Sequence, residues 1–264
     1  MTRVVVSAPL DRFSSAEFRF LEEAARLGAV HVLLWPDAAI RALAGRDPHF
    51  PEAERRYVLA SLRPVAAVHP VAPSSADSLP AVQHLRPEIW AVEAAHDTPA
   101  KRAFCAAGGL ACQVIPAPAG FPASPATRHT EVLVTGCFDL FHSGHVRFFE
   151  EMAALGSLTV VVGNDAAVRQ LKGPGHPLFP ATERRYLVAS VRHVAQALVS
   201  TGMGWLDAAP EIATVQPAVY AVNEDGDRPE KRAFCQQHGI RYVVLRRLPK
   251  PGLPRRSSTD LRGF

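Results

Sequence analysis

The chain has 264 residues, 48% of them hydrophobic, and carries 29 Lys and Arg against 25 Asp and Glu, for a formal net charge of +4 and a pI near 9.1. That apolar content fills one large or two modest cores, and the mild basicity suits an anionic small molecule while falling short of a nucleic-acid footprint. No run approaches the apolar length of a transmembrane helix, and the start MTRVVVSAPLDRF lacks the core and cleavage site of a signal peptide, so a cytoplasmic protein without a membrane partner is expected.

In chain order, the first half reads strand, turn, helix, strand, loop, helix, strand, helix, strand, and the second half repeats it. Ala8–Gly28 against Gly136–Gly156 gives 10 identities in 21 positions, and Phe50–Val65 against Phe179–Val194 gives 10 in 16. Chance would give roughly one or two in each window. KRAFC recurs intact at Lys101–Cys105 and Lys231–Cys235. A duplicated unit therefore predicts two domains, 1–120 and 131–264, joined by a linker at 121–130 inside a stretch rich in proline and alanine. In the second half, strands are expected at Glu131–Thr135, Leu158–Gly163, Gln196–Val199, Ala218–Val222 and Arg241–Leu245. Helices are expected from about Gly144 to Leu155, at Thr182–Val191, around Trp205–Thr214 and at Glu230–His238. Such alternation predicts an α/β protein of two tandem Rossmann-like, doubly wound parallel sheets, each with its site at the carboxyl ends of the strands.

The most informative string is Gly136–His145, GCFDLFHSGH, at the junction of a strand and a helix. Unpaired backbone N–H groups and the positive end of the helix dipole gather there, and His142 and His145 add donors for a phosphate. In the first half Ser14 and Glu17 replace the two histidines, and a glutamate repels a triphosphate. Residues 1–120 are thus expected to be a degenerate copy and 131–264 the catalytic one. The four cysteines, Cys105, Cys112, Cys137 and Cys235, form no CxxC pair and no zinc spacing; no protein-held metal is expected.

GxFDLFHxGH resembles the HxGH signature of the nucleotidyltransferase superfamily, and looks most like the cytidylyltransferases that activate glycerol, choline or ethanolamine phosphate. The resemblance implies nucleotide contacts from Gly136, Cys137, Phe138, Asp139 and Gly144. It aligns Lys172, in a glycine-bearing loop, with a lysine near the reacting phosphates, and Arg184 with an arginine that contacts substrate phosphate. Arg55, Arg56 and Arg63 survive in the degenerate copy, so a scaffolding role for the arginines stays open. Asn223, Glu224 and Asp225 stand where the family touches ribose or base. Arg256, Ser257, Ser258 and Thr259 resemble its closing motif, in which Ser258 or Thr259 caps a short helix that holds the β- and γ-phosphates.

The activity implied is attack of a phosphorylated acceptor, a phospho-alcohol or sugar phosphate, on the α-phosphate of CTP, with release of pyrophosphate and with Mg2+ bound through the triphosphate. The words around HSGH favour CTP. ATP remains the rival, because Ser257–Arg262 is close to the ISSTxIR of adenylyltransferases in the same superfamily. A nucleotide-binding regulator without catalysis is the alternative of another class. The two copies are also expected to act as an internal pseudo-dimer in a monomeric chain.

Overall fold

Val4-Val-Val6 and Val160-Val-Val162 are buried on both faces, which a strand achieves only inside a sheet covered by helices on its two sides. The computed structural model describes residues 1–124, 129–258 and 260–261, in two units, Met1–Gly120 and Phe121–Phe264. Unit 1 contains β1 (Arg3–Ala8), α1 (Ser15–Ala25), β2 (Ala29–Leu34), α2 (Asp37–Ala44), α3 (Glu52–Ala60), β3 (Val65–Pro70), β4 (Ile89–Glu93), α4 (Pro99–Ala107) and β5 (Ala111–Ile115). Its strands lie parallel in the order β3-β2-β1-β4-β5.

Unit 2 contains β6 (Val132–Gly136), α5 (Ser143–Ala153), β7 (Leu158–Val162), α6 (Asp165–Lys172), α7 (Ala181–Ala189), β8 (Gln196–Val199), α8 (Ala209–Val215), β9 (Val219–Asn223), α9 (Pro229–Gln237) and β10 (Arg241–Leu245). The strands are again parallel, in the order β10-β9-β6-β7-β8. Both sheets are Rossmann-like and doubly wound, as the alternation of elements predicts. The chain works outward from the first strand in one direction and then in the other. The crevice therefore opens at the carboxyl ends of β1 and β4 in one unit, and of β6 and β9 in the other. In α5 the residues Val146, Phe149 and Met152 are buried at helical spacing, which docks this helix on the sheet and sets where its first turn points.

Three local expectations are corrected. A loop was expected after β7, but α6 forms there: the Asn164 side chain accepts the Ala167 N–H, and Gly173 ends the helix at φ 85°. Lys172 is therefore the last residue of a helix, with the glycine-bearing loop following it. The helix expected around Trp205–Thr214 is split into a 3-10 turn at Gly204–Leu206 and α8. The linker expected at 121–130 begins as part of unit 2, where Phe121 stacks on Tyr186 with ring centroids 5.1 Å apart and Ser124 Oγ accepts the Ala197 N–H at 2.9 Å. No helix among the described residues is long and apolar enough to cross a membrane.

Arg184 is not available to a substrate. It is fully buried, and its guanidinium donates to the carbonyl oxygens of Phe179 (2.8 Å), Cys137 (2.6 Å) and Gly163 (2.8 Å) and to Asp165 Oδ1 (2.7 Å). Arg55 does the same in unit 1, donating to Phe50, Pro9 and Trp35 carbonyls and to Asp37. Each arginine ties the turns after the first two strands to the start of a helix, so the assignment of Arg184 to substrate phosphate gives way to a scaffolding role. Arg184→Met leaves these carbonyls and Asp165 without their donor, and urea denaturation is expected to show a loss of about 3 kcal/mol or more. A loss below about 1 kcal/mol would show that the guanidinium is dispensable.

Candidate active site

The turn that leaves β6 sets the site. Phe138 sits in the left-handed region at φ 54°, and its ring lies so close to Gly136 that a Cβ there would come within 2.7 Å of it. Its ring is held edge-on to His145, centroids 5.1 Å apart, and against Phe149. His142 then caps α5, its Nδ1 accepting the Gly144 N–H at 3.1 Å. An accepting nitrogen carries no proton, so the proton of the neutral ring lies on Nε2. Gly144 has to lack a Cβ, because one would meet the His142 ring at 2.9 Å.

The His145 ring stacks on His142, centroids 3.9 Å apart and planes 21° from parallel. His142 Nε2 and His145 Nδ1 are both buried with no hydrogen-bond partner. Buried polar atoms are paired in the great majority of proteins, and two orphans side by side mark a place prepared for a ligand. Burial pushes the His142 pKa down to about 3, with the Arg247 and Arg256 guanidiniums adding to the fall. Burial and the neighbouring His142 hold His145 well below the usual histidine value. The two rings are neutral hydrogen-bonding groups, not cations.

A crevice of about 380 Å³ opens beside His145 at the carboxyl ends of β6, β7 and β9. Of the residues expected to face it, Gly136, Cys137, Phe138, Lys172, Asn223, Asp225, Ser257 and Ser258 do so. His142 lies behind His145, fully buried. Gly144 and Arg256 line a small adjoining hollow of about 30 Å³ that His145 and Asn223 share.

Other expectations are not met. Asp139 is buried and accepts from the Leu178 N–H at 2.7 Å, the Phe179 N–H at 3.1 Å and His176 Nδ1 at 3.4 Å, so it fastens the loop after α6 and does not touch the crevice. Glu224 turns away, its Oε1 lying 3.6 Å from Arg255. Among the described residues no helix follows β10: in the closing motif Ser257 Oγ accepts the Asp260 N–H within a turn, while Ser258 Oγ donates to the Leu140 carbonyl. Thr259 lies outside the described residues.

Sequence reasoning missed several residues of the wall. Arg247 donates to Asp225 Oδ2 at 2.6 Å and to the Arg256 carbonyl at 3.1 Å, fixing the closing segment beside the histidines. Lys231 is buried, donates to the Gly226 carbonyl, and has its pKa lowered by burial; Asp207, raised by burial, accepts from Ser200 Oγ at 2.7 Å. Arg228 lies 4.1 Å over the Trp205 ring at the mouth. Arg247 stands outside every motif of the sequence. The others stand far apart in sequence and meet because β9 lies next to β6.

Residues 133–245 match the family model described as Cytidylyltransferase-like. Over that stretch unit 2 is similar to the cytidylyltransferase-like family. Over 95 residues the chain is 38% identical to the bifunctional protein HldE of Methylococcus capsulatus, covering 36% of this chain and 20% of that protein. Over 64 residues it is 44% identical to the HldE of Alkalilimnicola ehrlichii, covering 24% and 13%. The matched stretch thus spans a fifth or less of the length of these relatives. The crystal structure of a lipopolysaccharide core biosynthesis protein from Thermoplasma volcanium GSS1 is similar at a TM-score of 0.39 and 25% identity, over 46% of this chain and 98% of that one.

The buried imidazoles of this domain give it an acid sensitivity. In the unfolded chain a histidine titrates near 6.5 and in the fold His142 titrates near 3. Between those values the unfolded state holds the extra proton, so stability falls as pH falls through the window, by about 1.4 kcal/mol per pH unit for each histidine so held. Urea midpoints at pH 7.5 and 5.5 are expected to differ less in His142→Asn, which keeps a capping side chain, than in wild type. An equal difference would show that the burial of His142 does not control the loss.

Proposed function

We propose that unit 2 transfers a nucleotidyl group from CTP to a phosphorylated small molecule, a phospho-alcohol or a sugar phosphate, with release of pyrophosphate. The observation that carries this reading is the stacked pair of neutral imidazoles, His142 buried and His145 half-buried, with unsatisfied nitrogens beside a crevice that Lys172, Arg247 and Ser258 also line. An oxygen of the acceptor phosphate would attack the α-phosphorus in line; the new P–O bond forms as the bond to the bridging oxygen of the β-phosphate breaks, and pyrophosphate leaves with that electron pair. No covalent intermediate on the protein is required.

The protein would act by alignment and by charge stabilisation. A neutral imidazole in a dry site donates most strongly to an oxygen at the moment negative charge develops on it, and needs no reorganisation to do so. Lys172, exposed at the end of α6 before Gly173, can swing its ammonium over the β- and γ-phosphates. Mg2+ would enter as the counter-ion of the triphosphate, held by phosphate oxygens, and would ease departure of pyrophosphate. Asn223 would offer an amide to ribose or base, and Asp225, held by Arg247, a carboxylate.

ATP is the second reading, carried by the closing SSTDLR, which is similar to the last motif of adenylyltransferases. Pyrophosphate release from CTP and from ATP, measured across a panel of phospho-alcohols and sugar phosphates, separates the two. CTP is expected to be used at least about tenfold better in kcat/KM. Preference for ATP would keep the nucleotidyl transfer and exchange the base; binding without turnover with every acceptor would leave a regulator. His145→Ala is expected to lower kcat by about 100-fold or more while the folded state persists. Wild-type turnover in that variant would refute the role of the pair.

A further inference from the structure

One pair of opposite charges stands in both units and is closed in only one of them. Asp77 and Lys101 of unit 1 are 24 residues apart, and Asp207 and Lys231 recur at the same spacing in unit 2, each lysine opening its copy of KRAFC. In unit 1 the Lys101 ammonium donates to Asp77 Oδ1 at 2.9 Å, and the Thr98 hydroxyl donates to the same oxygen at 2.7 Å. Thr98 Oγ1 in turn accepts the Lys101 N–H at 3.1 Å, so lysine, carboxylate and helix start satisfy one another. In unit 2 the Lys231 ammonium, on a residue 7% exposed, has the Gly226 carbonyl at 3.2 Å and forms no ion pair with a carboxylate of the described residues. Arg228 stands in the place of Thr98 and makes no side-chain cap.

Another partner holds Asp207. Ser200 Oγ donates to Asp207 Oδ2 at 2.7 Å and accepts the Asn164 N–H at 2.9 Å. Seven residues before Asp77, where unit 2 has this serine, stands Pro70, which has no donor to offer. Asp207 lies at the end of β7, for a Cβ on Gly163 would come within 3.2 Å of its Oδ2. Lys231 belongs to the first turn of the helix after β9. β6 runs between those two strands, and both side chains line the crevice that His145 and Lys172 also line.

An opened pair in a half-dry wall is costly, and burial accordingly raises the Asp207 pKa and lowers that of Lys231. The group that completes it has to accept a hydrogen bond from an ammonium and donate one to a carboxylate. A hydroxyl does both. An ionised phosphate has no proton to donate, a primary ammonium has no lone pair to accept with, and a trimethylammonium group lacks both.

We propose that Asp207 and Lys231 grip a hydroxyl of the acceptor, Lys231 Nζ donating to its oxygen and Asp207 accepting from its O–H. Unit 2 then selects a phosphate that carries free hydroxyls, a polyol or sugar phosphate, over one that ends in an amine or a trimethylammonium group. The assignment rests on the nucleotidyl transfer proposed above for the same crevice. The pair sets specificity and takes no part in making or breaking a bond. Unit 1, which lacks the histidine pair, has closed the same gap with its own atoms.

The test compares each hydroxylated phosphate with a hydroxyl-free partner of similar size: glycerol 3-phosphate with n-propyl phosphate, and glucose 1-phosphate with cyclohexyl phosphate. Binding to the full chain is read by calorimetric titration, and kcat/KM by pyrophosphate release from CTP and from ATP. At least one hydroxylated phosphate is expected to be favoured at least about tenfold over its partner, a preference that falls below about threefold in Lys231→Met and in Asp207→Ala and persists in Lys101→Met. Lys101→Met breaks the matching contact in unit 1, so it separates a general loss of stability from a loss of grip. If one of the unit 2 variants fails to fold, the other decides. Equal treatment of both pairs, neither binding nor turnover of a hydroxylated phosphate up to about 10 mM, a preference that survives in either folded unit 2 variant, or its loss in Lys101→Met as well would each overturn the proposal. A preference in binding without turnover from either triphosphate would overturn the nucleotidyl transfer and leave the subsite; turnover without the preference would do the reverse.

Discussion

One hydrogen bond organises the candidate site: the Gly144 N–H donating to His142 Nδ1. It starts α5, and by using Nδ1 as an acceptor it places the ring proton on Nε2, where the protein supplies nothing to receive it. It also brings the ring over the first turn so tightly that position 144 tolerates no Cβ. His145, one turn position further on, is then forced to lie flat against the same ring. Burial of the stack follows from this geometry, and burial in turn keeps both imidazoles neutral. Positive charge at the crevice wall comes instead from Arg247 and Lys172.

How much of this could be read from residues alone depends on what a residue type reveals. β-branched runs read as buried strands because few other environments suit them, and the LTVVV run coincides with β7, buried at every position; Gln196–Val199 and Arg241–Leu245 match β8 and β10, the edge strands. The histidine pair was legible because its spacing and glycine place both rings at one helix start. Arg184 and Asp139 were misread for a common reason: a side chain's hydrogen-bonding capacity is visible in sequence, but its direction is not. Arg184 turns inward to three carbonyls and Asp139 to two backbone N–H groups, each satisfying the protein's own polar groups. The repeat held the warning. Asp11 accepts the His49 N–H, and Arg55 reaches three carbonyls, so these positions work in the copy that lacks the histidine pair. A residue kept in both copies reports what both need, which is the fold.

The residues that sequence reasoning missed show the complementary limit. Trp205, Asp207 and Arg228 belong to no motif, and Lys231 only to the repeated KRAFC; they reach the wall through the segments that follow β8 and β9. Their environment gives them away once the fold is known. Asp207 is pushed up and Lys231 down by the same burial, so both are drawn toward their neutral forms while each still feels the other's opposite charge. Opposed shifts of this kind in a crevice are where a ligand's charge has most leverage.

The helix starts of the two units show what the difference between them costs. At the first helix, unit 1 has the reciprocal Ser14 and Glu17 box, whereas unit 2 has a single bond to a histidine and two orphaned nitrogens. At the last helix, Thr98 caps α4 by accepting the Lys101 N–H, whereas Arg228 at the start of α9 makes no side-chain cap and lies over Trp205 instead. A side-chain cap is worth about 1 kcal/mol. Unit 2 recovers a cap at its second helix, where Asn164 accepts the Ala167 N–H and Pro36 at the start of α2 makes no such bond. What sets unit 2 apart is therefore not a loss of caps but the two orphaned nitrogens beside its crevice, and unsatisfied buried polarity persists in folded proteins chiefly where a ligand completes it.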